Sequence, residues 1–314
     1  MCNGALCLKK KVLQYDDRME LFMKNEFFTA LGTPLTEDGL LVSESLKREI
    51  NEQIDIGASG LLLMGSMGKE AYIMNSEYGK IVDAAIEAVD GRVPLYVGAM
   101  DNSIARVMEK INLIGNGKKI DGIVLTVPFY SVPTNADAIN WFNSIATKSS
   151  YPIYLYDLPG VTQFKMSMKV IDGVINHENI KGLKSANWEL INAIGRKYPE
   201  KSFECFYSGL DNFDYAALLG LSKQLDGMFT CTPRNSKAMY ERMNCGDFVG
   251  ARRHLDNILL LRDTMIANNL NRCFTTAMNL LGYEGNFHAD YSAPIDDSVK
   301  ELIADTMKKI GELT

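Results

Sequence analysis

The sequence predicts an α/β chain folded as a (β/α)8 TIM barrel with a C-terminal three-helix extension. Three observations carry this. Eight short apolar runs recur along the chain, helical patterns fill the gaps between them, and the apolar runs stop after Thr232. Alternating βα units of roughly 30 residues, repeated eight times, match a barrel of ordinary size. A doubly wound sheet also alternates, but it needs fewer strands and usually a Gly-rich dinucleotide turn after the first. Here the first run leads into Gly32-Thr33-Pro34, which is no phosphate loop.

In order, the expected strands are Phe27–Leu35, Gly60–Ser66, Pro94–Ala99, Gly122–Tyr130, Pro152–Leu158, Ile180–Lys184, Phe203–Ser208 and Gly227–Thr232. Ser43 opens a helix with Leu46, Ile50 and Ile54 on one face, stopped by Gly57. Asn75 is placed to cap the next, whose stripe is Ile81, Val82, Ala85, Ile86 and Val89. Val107, Ile111 and Ile114 mark a third, ended by Gly115 and Gly117. Thr134 and Asp137 form a capping-box pattern before Ile139, Phe142 and Ile145. Between Pro152–Leu158 and Ile180–Leu183, Met168, Ile171, Val174 and Ile175 repeat at helical spacing, giving one βαβ unit. Helical stretches at 247–268, 271–282 and 296–312 close the chain. The division expected is a loose extension at 1–22 (Met23 offers an alternative start), a barrel at 23–233 and a helical region at 234–314.

Composition excludes several classes. A net charge of −6 and a pI near 5.3 argue against a nucleic-acid or anionic-membrane surface. No apolar run approaches the ~20 residues of a membrane span. The start MCNGALCLKKK places its charges after its apolar stretch, the reverse of a secretory signal. The six cysteines show no paired spacing and read as reduced thiols, so a cytoplasmic location is expected. His177, His254 and His288 lie far apart, which disfavours a metal-dependent aldolase or hydrolase, and no metal ligand is expected.

Barrel chemistry sits at the C-terminal strand ends. Those ends carry Ser66, Tyr130, Tyr156, Lys184, Ser208-Gly209 and Thr230. A lysine closing an apolar strand sits in a poor solvent for its charge, and the neutral amine is the form that attacks a ketone. A neighbouring phenol can move the protons this needs. The competing reading is a lysine that snorkels from a strand end to water, and on residue chemistry alone it is the commoner case. Gly65-Ser66-Met67-Gly68-Lys69 is not a Walker loop, because Leu63 and Glu70 stand where Gly and Ser/Thr are required. Its exposed N–H groups and hydroxyl suit a small carboxylate, against an even chance of a mere tight turn.

With these residues in view the chain resembles the dihydrodipicolinate synthase and N-acetylneuraminate lyase family of class I, pyruvate-dependent enzymes, over about residues 24–314. The resemblance rests on GSMG (65–68), PFYSVPT (128–134), YDLPG (156–160) and GLKSA (182–186). It implies Lys184 as the Schiff-base lysine, Tyr156 as the proton-shuttling phenol, and Ser66 with the Met67 N–H as the carboxylate seat. Tyr130 is implied to complete the relay in a neighbouring subunit's site, which in turn implies a homotetramer built as a dimer of dimers. Gly209 and Asp211 match the loop that meets the second substrate; Asn212 and Thr230 are expected to join it. The implied ligands are a 2-keto acid and an aldehyde, with the covalent imine in place of any cofactor.

The departures are Met67 for Thr, Lys69 for Glu, and Val161 where the synthases of the family carry an arginine for the aldehyde's carboxylate. On that ground a sugar-acid lyase acting on N-acetylneuraminate or 2-keto-3-deoxy acids ranks first and 4-hydroxy-tetrahydrodipicolinate synthase second. A Schiff-base dehydratase or deaminase and a catalytically silent binding barrel follow. Trp188 is the residue that would instead favour an apolar aldehyde.

Overall fold

The computed structural model describes residues 24–314; the extension at 1–22 lies outside the described residues, as do Met23, Cys2 and Cys7. Eight parallel strands close in sequence order: β1 (Glu26–Ala30), β2 (Gly60–Leu63), β3 (Leu95–Gly98), β4 (Gly122–Leu125), β5 (Ile153–Asp157), β6 (Ile180–Ser185), β7 (Glu204–Tyr207) and β8 (Lys223–Asp226). β8 returns to β1 with Leu225 opposite Phe28. The longer helices between them are α1 (Ser43–Asp55), α2 (Asn75–Val89), α3 (Ile104–Ile114), α4 (Asn135–Lys148), α5 (Met168–Val174), α6 (Trp188–Lys197) and α7 (Phe213–Leu218), and a single helical turn, Pro159–Thr162, follows β5. α8 (Pro233–Asn244) completes the ring, and α9 (Phe248–Ala267), α10 (Leu270–Leu280) and α11 (Asp297–Lys309) form the extension.

Two expectations need correction. The eighth strand is not Gly227–Thr232 but the preceding Lys223–Asp226, and Met228–Thr230 is a 3-10 turn. Asn75 is the first residue of α2 rather than its cap, and its amide donates to Glu109. The capping box of α4 forms as expected: the Asp137 N–H donates to Thr134 Oγ1, and the Thr134 N–H donates to Asp137 Oδ2. α8 had no clear sequence signal beyond Pro233 at its first position, where the missing N–H costs nothing.

Alternation along each strand divides the core in two. Outward residues such as Leu61, Val97, Ile123 and Leu183 pack under the helices. Inward residues fill the barrel: Phe28, Tyr96, Tyr154 and Phe206 meet mostly edge-on, with ring centroids 4.8 Å apart for Phe28–Phe206 and 4.9 Å for Tyr96–Tyr154. This aromatic plug floors the barrel and leaves the C-terminal mouth open to chemistry.

One buried acid links the fold to that mouth. Glu49 of α1 is fully buried, accepts the Gly32 N–H at 2.8 Å, and has no partner for its second oxygen. Burial pushes its pKa from the ordinary 4.5 up to about 8. The neighbouring Thr33 hydroxyl donates to the Gly68 carbonyl, so this anchor reaches the Ser66 turn. A raised folded-state pKa gives stability that is full below about pH 4.5 and lost as pH rises towards about 8. Denaturant titrations across that window should show stability falling with pH, and Glu49→Gln should flatten the slope. An unchanged slope in the variant would assign it to other groups.

Candidate active site

Strand alternation places Tyr156 at the end of β5 and Lys184 near the end of β6 on the inner face, directly opposite each other in register. The Lys184 side chain is buried at 6% exposure, with its Nζ 4.1 Å from the centroid of the Tyr156 ring. The Tyr156 hydroxyl lies 3.1 Å from Ser66 Oγ, and Ser66 is exposed at the mouth. Three of the expected residues therefore meet. Gly182, two residues before Lys184, is the inward residue below it. A Cβ there would stand 2.4 Å from the Glu204 carbonyl oxygen and 2.7 Å from the Tyr154 ring. Only glycine lets Tyr154 pack beneath the lysine.

The turn after β2 is tightly determined. Met64 and Lys69 flank it in left-handed conformations, φ 51° and 57°, which non-glycine residues adopt at some cost. A Cβ on Gly68 would sit 2.9 Å from Met64 Cα. Among the described residues the backbone N–H groups of Ser66 and Met67 have no acceptor within the protein. Two free N–H groups beside a hydroxyl are donors of the kind a small carboxylate accepts.

The remaining expected residues are placed differently. Tyr130 is 92% exposed, and the loop carrying it is pinned where Asn102 Oδ1 accepts the Phe129 and Tyr130 N–H groups. It does not reach Lys184 of its own chain. Asp211 is held by Arg262 through two bonds of 2.7 and 2.8 Å, which lower its pKa. It is thus paired rather than open to a ligand. Asn212 is exposed beside it. Gly209 lies where a Cβ would strike the Tyr207 hydroxyl at 2.3 Å. Thr230, read as a strand end, is fully buried in the 3-10 turn and donates to the Gly227 carbonyl at 2.8 Å.

Trp188 stacks on Tyr215 with centroids 6.0 Å apart and lines a separate pocket of about 600 Å³ with Asn187, Asn212 and Lys165. Asp157 accepts the Ser185 hydroxyl and the Met166 N–H, which pins the segment carrying Val161.

Sequence reasoning missed Asp226, because the strand it ends was misplaced. Half-buried at the end of β8, it accepts the Met228 N–H at 2.7 Å. Burial raises its pKa, against the Met228 bond and the charge of Lys184. It also missed the ion pairs under the Ser66 turn. Lys110 donates to Glu70 at 2.6 Å and reaches Asp101 at 3.0 Å, yet burial still pushes Glu70 up to about 7. Among the described residues no cluster of three His, Cys, Asp or Glu could hold a metal, and no helix is long and apolar enough to cross a membrane.

The family model described as "Dihydrodipicolinate synthetase family" matches residues 23–310. A 4-hydroxy-tetrahydrodipicolinate synthase from Ligilactobacillus salivarius is 28% identical over 83% of this chain and 90% of its own. The dihydrodipicolinate synthase structure from Thermotoga maritima superposes with a TM-score of 0.82 at 22% identity, over 93% of this chain and all of that one. A prophage protein of the dihydrodipicolinic acid synthase family from E. coli K12, solved with pyruvate, gives 0.81 at 21% identity, over 92% and 99%. At these identities the two structures speak for the fold.

Proposed function

The chain belongs to the dihydrodipicolinate synthetase family, whose members are pyruvate-dependent lyases acting through a lysine Schiff base, and from that premise we propose that it condenses pyruvate with an aldehyde on Lys184. The observation that carries this reading is the contact chain from Lys184 over the Tyr156 ring to the Ser66 hydroxyl, closed by two unused N–H groups. The pyruvate carboxylate sits on the Ser66 and Met67 N–H groups. The Lys184 amine attacks the ketone carbon through its nitrogen lone pair, and the oxygen leaves as water once Tyr156 has moved a proton to it. Tyr156 takes a methyl proton and turns the imine into an enamine; the enamine carbon bonds the aldehyde carbon, and the aldehyde oxygen takes up that proton to become a hydroxyl. Hydrolysis of the new imine frees Lys184. No metal or organic cofactor enters the scheme.

For the second substrate, aspartate semialdehyde now ranks ahead of the sugar acids. The curated relative is named a 4-hydroxy-tetrahydrodipicolinate synthase. Asp211 and Thr230, polar groups that would suit the hydroxyls of a polyol chain, are also spent, Asp211 on Arg262 and Thr230 on Gly227. One observation keeps sugar-acid cleavage as a second reading: the Trp188–Tyr215 stack with Asn187 and Asn212 beside the mouth suits a polyhydroxylated chain. Comparison of kcat/KM for pyruvate plus aspartate semialdehyde with cleavage of N-acetylneuraminate and 2-keto-3-deoxy acids decides between them. Efficient sugar-acid cleavage without condensation would reverse the ranking. Tyr130, exposed on its own chain, serves the site of a second copy in this reading, within a dimer of dimers. Sedimentation run with the same assay should find activity only in oligomers; an active monomer would remove the shared site.

A further inference from the structure

Beside Ser66 a cavity of about 380 Å³ opens, with walls formed largely by Met67, Met100, Phe129, Leu158, Val161 and Leu270. It holds one ammonium group, that of Lys69. Glu70 also borders it, but that carboxylate is tied to Lys110. Lys69 is half-buried, and its Nζ donates to the neutral Oδ1 of Asn271. Among the described residues no carboxylate lies in ion-pair range of it, and burial alone lowers its pKa. Its backbone is held left-handed at φ 57° in the turn that carries Ser66, so loop and charge are positioned together.

The other cations near the mouth are differently placed. Arg262 is neutralised by Asp211 and Asp263, and Lys165 belongs to the Trp188 pocket. An ammonium without a countercharge, facing apolar walls next to a reacting centre, gains most from a carboxylate brought in by a ligand. We infer that Lys69 grips the carboxylate of an acidic aldehyde in this cavity and so selects anionic over neutral second substrates. The inference rests on the reading of the site as a pyruvate-condensing centre. It also accounts for Val161, a short apolar residue lining the same cavity: the charge is supplied from the opposite loop.

The test compares kcat/KM for aspartate semialdehyde and succinic semialdehyde with that for butanal, at fixed saturating pyruvate. The wild type should prefer the anionic aldehydes. Lys69→Met should cut that preference by about 10- to 100-fold, the usual worth of a charge-assisted contact, while Lys69→Arg keeps most of it. Adding Val161→Arg to Lys69→Met should restore part of the preference from the Val161 side of the cavity. Borohydride trapping of pyruvate on each variant separates a damaged fold from a lost contact. A wild type indifferent to aldehyde charge, or a Lys69→Met variant that keeps the preference while still trapping pyruvate, overturns the inference and leaves the condensation reading standing. Absence of any pyruvate adduct or condensation in the wild type brings down both.

Discussion

Lys184→Arg is expected to lose turnover by roughly 10³-fold or more, with no covalent capture of pyruvate. A guanidinium stays protonated and offers no lone pair to a ketone, however well it occupies the site. The Lys184 position is tightly enclosed, at 6% exposure with Tyr156 on one side and Tyr154 packed below Gly182. A larger head group could disturb the barrel, so Lys184→Met serves as the second variant. It should lose the same activity while unfolding near the wild-type denaturant midpoint, because the lysine makes no ion pair among the described residues. Retention of even a tenth of the wild-type rate in both variants would remove Lys184 from the chemistry.

The second large effect is expected at Tyr156. Its hydroxyl lies 3.1 Å from Ser66 Oγ, and its ring contacts the lysine Nζ, so the phenol stands between the amine and the carboxylate seat. Tyr156→Phe keeps the ring and deletes only the proton carrier. General acid–base groups are typically worth 10²- to 10⁴-fold, so kcat should fall by about that much. The loss should fall on kcat more than on KM for pyruvate, since the N–H groups of Ser66 and Met67 remain. Slow borohydride trapping at Lys184 should persist, which separates proton transfer from nucleophilic attack. A variant that loses trapping altogether but keeps its fold would assign Tyr156 to pyruvate binding.

Much of this site is readable in the sequence because its residues sit close to regular strand ends. Tyr156 and Lys184 close apolar runs whose alternation decides which side chains face inward, and Ser66 follows a run into a glycine turn. The misplaced eighth strand shows where that logic fails. Lys223-Gln224-Leu225-Asp226 has a single aliphatic residue, and inside the fold Gln224 is satisfied by the Phe213 carbonyl and the Tyr240 hydroxyl. The neighbouring Met228-Phe229 run looks more strand-like, but it packs as a turn. A strand drawn over Gly227–Thr232 puts Thr230 at the mouth and leaves Asp226 outside it, whereas the folded chain buries Thr230 and ends β8 on Asp226.

Long-range pairing is the other blind spot. Asp211 reads as an open acceptor until Arg262, 51 residues on, is seen to hold it. Lys69 reads as a departure from a motif until the cavity it shares with Val161 is visible. Neither relation has a local signal, because each joins segments that only barrel closure and the docking of α9 and α10 bring together.

An imine between Lys184 and pyruvate is tested most directly by reducing the wild-type protein with borohydride in the presence of pyruvate and mapping the modified peptide by mass spectrometry. One reduced pyruvyl group per chain, on Lys184 and absent without pyruvate, is the predicted result. An adduct on any other lysine, or no pyruvate-dependent adduct, would contradict it.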